Sequence, residues 1–151
     1  KSNLSYVSLS SIEIIGSHFF AKKLANKLNI KEAISINTPG ANGTLNYSYS
    51  YSKNSIIDRI VKSIIKEKNI RIKLNEFRGS MGADEIAFDS PGINISCGSL
   101  HRFPYKEYHS SEDIPSNVNQ KKLLEFIELQ KKIIFNLENN FTPKNLSKGS
   151  P

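Results

Sequence analysis

The sequence predicts an α/β fold, a sheet flanked by helices, and three observations carry that reading. Short stretches of strand character alternate with helix-patterned segments along the chain. The run Tyr47-Ser48-Tyr49-Ser50-Tyr51-Ser52 alternates with the period of two that puts all its tyrosines on one face of a strand. Just beyond it, Ile56, Ile57, Ile60, Val61, Ile64 and Ile65 form one apolar stripe of helical spacing, with Asp58, Arg59, Lys62, Lys66 and Glu67 opposite.

In chain order, Tyr6, Val7 and Leu9 suggest a short strand leading into a turn at Ile15-Gly16-Ser17. Ser17 is the expected N-cap of a helix in which Phe19, Phe20, Ala21, Leu24 and Leu28 follow helical spacing. Ala33 to Asn37 reads as a strand, stopped by the turn pairs Pro39-Gly40 and Asn42-Gly43. After the tyrosine strand, Asn54 or Ser55 caps the isoleucine-striped helix, and Ile70 to Leu74 alternates as a further strand. Arg78–Gly92 is non-periodic and rich in Gly, Asp, Ser and Pro; Ile93 to Cys97 reads as a strand, and Ser99–Asn117 as a long loop. The last helix is expected from about Asn119 to Asn139, with Leu123, Leu124, Phe126, Ile127, Gln130, Ile133, Ile134 and Leu137 as its core stripe. Residues 1–140 are read as one structural unit and 141–151 as a polar, mobile tail.

A hydrophobic fraction of 38% and a charged fraction of 23% are ordinary for a globular domain and exclude wholesale disorder. No stretch approaches the roughly 18 apolar residues needed to span a bilayer. The net charge of +7 comes mostly from lysines scattered along predicted helices, with no Arg-rich block or aromatic–basic RNA signature, so no nucleic-acid partner is expected. The single cysteine, Cys97, excludes an intrachain disulfide and fits a reducing, cytoplasmic setting. Lys1-Ser2-Asn3-Leu4 carries neither an initiator Met nor a signal segment, so the chain reads as part of something longer.

Long loops inside compact domains tend to carry function, which directs attention to Arg78–Gly92 and Ser99–Asn117. In the second, His109 is a candidate metal ligand, Tyr108 a phenol able to donate to an oxyanion, and Asp113 a carboxylate within reach to orient the imidazole. An exposed histidine among solvated neighbours is the plainer reading of the same spacing. Arg102 can hold a substrate carboxylate, while its charge opposes metal binding by His101. His18 reads as a surface residue, and Cys97 as an inert buried thiol rather than the nucleophile of a Cys–His pair. Glu13, at a strand-to-helix junction, suits either a metal ligand or base, or an acid favoured by the helix dipole. Asp84 and Glu85 are acidic loop residues, solvated by default.

Three stretches together resemble zinc aminopeptidases of metallopeptidase family 28, and especially a divergent bacterial branch of aminopeptidase-like domains. The most specific is Gly82-Ala83-Asp84-Glu85-Ile86-Ala87-Phe88-Asp89-Ser90-Pro91-Gly92-Ile93, then Ser99-Leu100-His101-Arg102-Phe103-Pro104-Tyr105, then Glu107-Tyr108-His109-Ser110-Ser111. It is similar to that branch's acidic loop, Ser-Pro-Gly-Ile strand start, Arg-x-Pro-Tyr segment and Tyr-His-Thr-Ser close, with Ser110 for Thr. Tyr6 to Ser17 resembles its Pro-Glu-Thr-Ile-Gly-Ser turn, with Ile12 for Pro and Ile14 for Thr. Tyr49 to Asp58 resembles its Tyr-Ser-rich strand and following helix.

The resemblance implies a three-layer α/β/α sandwich with a mixed sheet, of which this chain is the C-terminal part. It implies His109 as a zinc ligand, Tyr108 as oxyanion donor, Glu13 as ligand or general base, Asp113 as support for the histidine loop, and Asp84, Glu85 and Arg102 as cleft residues. The family's remaining His and bridging Asp would precede Lys1. Asn37-Thr38 stands where a further Asp is usual, and a neutral amide favours one zinc ion over two. The expected function is therefore a zinc-dependent hydrolase acting on a peptide or small-molecule amide. The alternative is a non-catalytic aminopeptidase-like module that binds a peptide, sugar or partner in a biosynthetic pathway.

Overall fold

The computed structural model describes residues 4–25, 27–68 and 70–140. Its elements run in the order α1 (Ile15–Phe20), a π-helical turn (Ala21–Ala25), β1 (Glu32–Asn37), β2 (Leu45–Ser48), α2 (Ile56–Lys68), β3 (Lys73–Asn75), α3 (Glu85–Phe88), β4 (Ser96–Arg102), a 3₁₀ turn (Pro115–Asn117) and α4 (Gln120–Glu138). The strands form one mixed sheet ordered β1-β4-β2-β3, with β4 parallel to β1 and antiparallel to β2, and β3 parallel to β2.

Strand alternation divides the core in two. Ile34, Tyr47 and Leu100 point to one face and pack with Ile57, Val61 and Ile64 of α2 and Phe126, Leu129 and Ile133 of α4. Ala33 and Cys97 point to the other and pack with Phe20, Ala21, Ala25, Ala87 and Phe88 from α1, the π turn and α3. Helices therefore cover both faces of the sheet, giving the α/β/α layering expected.

The start of α2 shows how local sequence makes this arrangement. Ser55 Oγ accepts from the Asp58 N–H at 3.1 Å, and the Asp58 carboxylate accepts from the Ser55 N–H at 3.0 Å, a reciprocal capping box. Glu32 accepts from the Ile56 and Ile57 N–H groups at 3.0 and 3.3 Å, so the first turn is satisfied from β1 as well. On the same face Gly98 leaves space for the Tyr47 phenol, which lies where any Cβ at that position would go.

Several expectations are corrected. Residues 6–9 are exposed and form no strand, because no described strand pairs with them. Ser17 is buried inside α1 rather than capping it, and Phe19, Leu24 and Leu28 are exposed. The tyrosine strand ends at Ser48, because Asp58 draws in the N–H and hydroxyl of Ser50, and Tyr51 falls in an exposed turn against Phe77. Asp58, expected on the solvated side of α2, is fully buried. The strand expected over 70–74 is Lys73–Asn75. The strand expected over 93–97 instead runs from Ser96 to Arg102, because β4 is central and pairs on both edges. In α4 the buried residues are Phe126, Leu129 and Ile133, whereas Leu124, Ile127 and Ile134 face outward. The tail expected from 141 lies outside the described residues.

Candidate functional site

Two groups of candidate residues emerge, one on each of two loops. The first joins the N-terminal turn to the start of α3. Ile14 has φ 62 and ψ −57, and the Ile15 N–H donates to the Glu13 carbonyl at 2.6 Å, so the chain makes a γ-turn of the rare hand centred on Ile14. The Ile14 N–H donates to Asp84 Oδ1 at 2.6 Å. The Glu13 side chain is exposed and makes no hydrogen bond or ion pair among the described residues. Glu85, expected to be solvated, is completely buried. Both its carboxylate oxygens accept from the Ala83 N–H at 3.0 Å, and Arg78 Nε lies 3.7 Å away. Burial raises the Glu85 pKa, and the Ala83 hydrogen bond and the Arg78 charge oppose that rise.

The second group occupies the loop after β4. The His109 imidazole stacks on Tyr108 with ring centres 3.9 Å apart, and Tyr108 meets Phe103 and Tyr105 edge-on at 5.2 and 5.5 Å. His109 is exposed, with a left-handed backbone at φ 55. The structure places Asp113 differently from the expectation. It accepts from Tyr105 Oη at 2.9 Å rather than from the imidazole, so it bears on the histidine loop only through the aromatic cluster. Burial, with the Asp113 hydrogen bond, pushes the Tyr105 phenol up to about 12. A cavity of about 310 Å³ lies beside this loop, lined in part by Thr38, Pro39, Tyr105, Glu107 and Asp113. It adjoins the carboxyl end of β1, a common ligand position in α/β sheets.

Arg102 belongs to neither group. It lies on the α2/α4 side of the sheet, and its guanidinium donates to Pro39 O at 3.2 Å, Lys122 O at 3.3 Å and Glu125 Oε2 at 3.1 Å. Burial lowers its pKa against the favourable Glu125 charge. A larger cavity of about 930 Å³ reaches Arg102 along α4, but it contains none of Glu13, Asp84, Tyr108 or His109. No hydrogen bond, ion pair or ring contact joins the Glu13 and His109 groups among the described residues.

The sequence predicts a loop at His101. The residue is instead fully buried in β4, with Nδ1 3.3 Å from Ser99 Oγ and Nε2 without a hydrogen-bond partner. Burial, opposed by a backbone hydrogen bond at Ser99, lowers its pKa to about 4. Ser48 Oγ, on the same face of the neighbouring strand, also lacks a partner. The signal for this seam was present in the alternation Cys97, Ser99, His101, once that segment is read as strand. The Cys97 thiol is buried and its pKa is raised well above normal by burial and then by Glu85, which keeps it protonated and inert. His18 is exposed, as expected.

Zinc takes nitrogen and oxygen donors, and the exposed imidazole of His109 and carboxylate of Glu13 are free to serve. Among the described residues, however, no group of three or more His, Cys, Asp or Glu side chains comes together to hold a metal. These residues alone do not make a complete zinc site. Nor, among the described residues, is any helix long and apolar enough to cross a membrane.

The fold and part of the sequence have counterparts. A Clostridium acetobutylicum protein named for polysaccharide biosynthesis and an aminopeptidase-like domain is 32% identical over 97% of this chain. A solved structure from Clostridium acetobutylicum, named as a candidate peptidase, matches 93% of the chain at 32% identity with a TM-score of 0.78. The chain spans 34% of the length of each of these proteins. A zinc aminopeptidase from Bacillus subtilis matches 82% of the chain and 32% of its own length, with a TM-score of 0.63 and 12% identity, a likeness of fold. Residues 1–140 match a single family model, and the chain belongs to that family, DUF4910, a domain of unknown function.

Proposed function

We propose that this chain is part of a metal-dependent hydrolase of aminopeptidase type, related to metallopeptidase family 28, that cleaves a peptide or small-molecule amide. The carrying observation is Glu13 and His109, two exposed and uncommitted donors in an aminopeptidase-like fold. They would contribute to a zinc site whose full ligand set does not come together among the described residues; bound there, zinc would supply Lewis-acid activation of an amide and its attacking water. Tyr108, held edge-on by Phe103 and Tyr105, would donate its hydroxyl to the developing oxyanion. Glu13, where it is not a ligand, would accept a proton from the attacking water. Asp84, Glu85 and Tyr105–Asp113 would shape the two loops.

Full-length protein should copurify with zinc and turn over aminoacyl-amide substrates in a chelator-sensitive manner. His109→Ala should lower zinc content and reduce turnover by about 100-fold or more. Zinc-free protein with unaltered turnover would exclude this mechanism.

A second reading is favoured by Asn37 at the end of β1: a non-catalytic module that binds a peptide or sugar. The polysaccharide-biosynthesis name of the Clostridium relative supports a sugar-linked ligand for that reading. Chelator-sensitive turnover would remove it.

A further inference from the structure

Glu13 is exposed, and its carboxylate has no partner among the described residues that could set its direction. Its backbone, by contrast, is tightly constrained. Ile14 is β-branched and holds φ 62, a conformation such residues avoid, so the turn persists only if its surroundings impose it. Beside the local bond from the Gly16 N–H to the Ile12 carbonyl at 2.9 Å, the long-range contact on the turn is the charge-assisted hydrogen bond from the Ile14 N–H to Asp84 Oδ1, 2.6 Å long and spanning 70 residues of sequence.

Asp84 is itself firmly placed. The next residue, Glu85, is buried and grips the Ala83 N–H through both oxygens, with Arg78 beside it. Ala87 and Phe88 of α3 then sit in the core, where Phe88 meets Phe20 of α1 with ring centres 6.1 Å apart. A chain of contacts thus runs from the core through Glu85 and Asp84 to the turn that carries Glu13.

We propose that Asp84 is a positioning residue for Glu13, clamping the Ile14 γ-turn so that the backbone from which the Glu13 side chain projects is held in one place. This rests on the reading of Glu13 as a metal ligand. It assigns Asp84 a role distinct from contact with substrate, and makes Glu85 the anchor of the clamp.

The test compares full-length wild type with Asp84→Ala, Asp84→Asn and Glu13→Ala, measuring amide hydrogen exchange at Ile14 and affinity for zinc alone. Asp84→Ala should speed exchange at Ile14 about tenfold or more and weaken zinc binding by about 10- to 100-fold. Exchange of the β4 and α2 core amides should stay unchanged, which a general loss of structure would not allow. Asp84→Asn keeps an acceptor oxygen and should fall between the two, providing the comparison if the alanine variant folds poorly.

Wild-type exchange at Ile14 in both Asp84 variants overturns the clamp. Faster exchange with unchanged zinc affinity, while Glu13→Ala weakens binding, overturns the positioning role and leaves the proposed function standing. Unchanged zinc affinity in Glu13→Ala defeats the metal role of Glu13, and the positioning proposal with it.

Discussion

Buried polar residues in this protein each meet a different local demand. Asp58 is fully buried because it serves several donors at once: Tyr47 Oη at 2.8 Å, the Ser50 N–H at 3.1 Å and hydroxyl at 2.6 Å, and the Ser55 N–H at 3.0 Å. His101 is buried with one nitrogen unserved, and its pKa is lowered from 6.5 to about 4. The folded protein therefore keeps this ring neutral, while the unfolded chain gains a proton near 6.5. Between those two values the unfolded state binds more protons, so His101 leaves stability untouched above about 6.5 and reduces it progressively as the pH falls towards about 4. Urea titrations from about pH 7.5 down to about 4.5 should show His101→Gln losing less stability on acidification than wild type. Parallel curves would contradict the assigned environment. Neither burial could be read from the residues alone: Asp58 lies on the polar side of its helix by spacing, and His101 follows a segment that reads as the end of a strand.

At the level of elements, α2 and β4 depend on features local in sequence but decided by contact. The Ser55–Asp58 capping box is a short-range device, and Ser55→Ala should cost about 1 kcal/mol in urea unfolding. Gly98→Ala should cost more, about 2–3 kcal/mol, because its methyl would displace the Tyr47 phenol from Asp58 and orphan a buried hydrogen bond. A smaller loss for Gly98→Ala than for Ser55→Ala would show that the tyrosine can move away freely. The capping signal was legible because caps are written in adjacent residues. The end of the tyrosine strand was not, because Ser50 is drawn out of the alternation by Asp58, a residue of the following helix.

Across the whole molecule, the net charge of +7 is spread rather than focused. Lys121, Lys131 and Lys132 are exposed along α4, and Lys131 pairs with Glu128 at 2.7 Å. Such dispersion should give weak retention on heparin, with elution at low salt; strong retention falling steeply with salt would indicate a nucleic-acid surface instead. The two candidate loops show how different scales meet. Glu13 is far in sequence from the neighbours Asp84 and Glu85, yet one hydrogen bond and one buried carboxylate tie them into a single unit. Tyr108, His109 and Asp113 are close in sequence, yet Asp113 turns to Tyr105 instead of the histidine.

The α/β class, the helices α2 and α4 and the strand β1 were determined by the sequence itself, since periodicity and capping are properties of neighbouring residues. Resemblance of motifs, also a property of the sequence, marked the loops that carry Glu13, Asp84 and His109. Only the tertiary structure decided which acids are buried, that Arg102 is occupied on the α4 side, and that Asp84 holds the turn beside Glu13. Burial and hydrogen-bond partnership depend on which distant segments meet, and spacing along a chain does not encode that meeting.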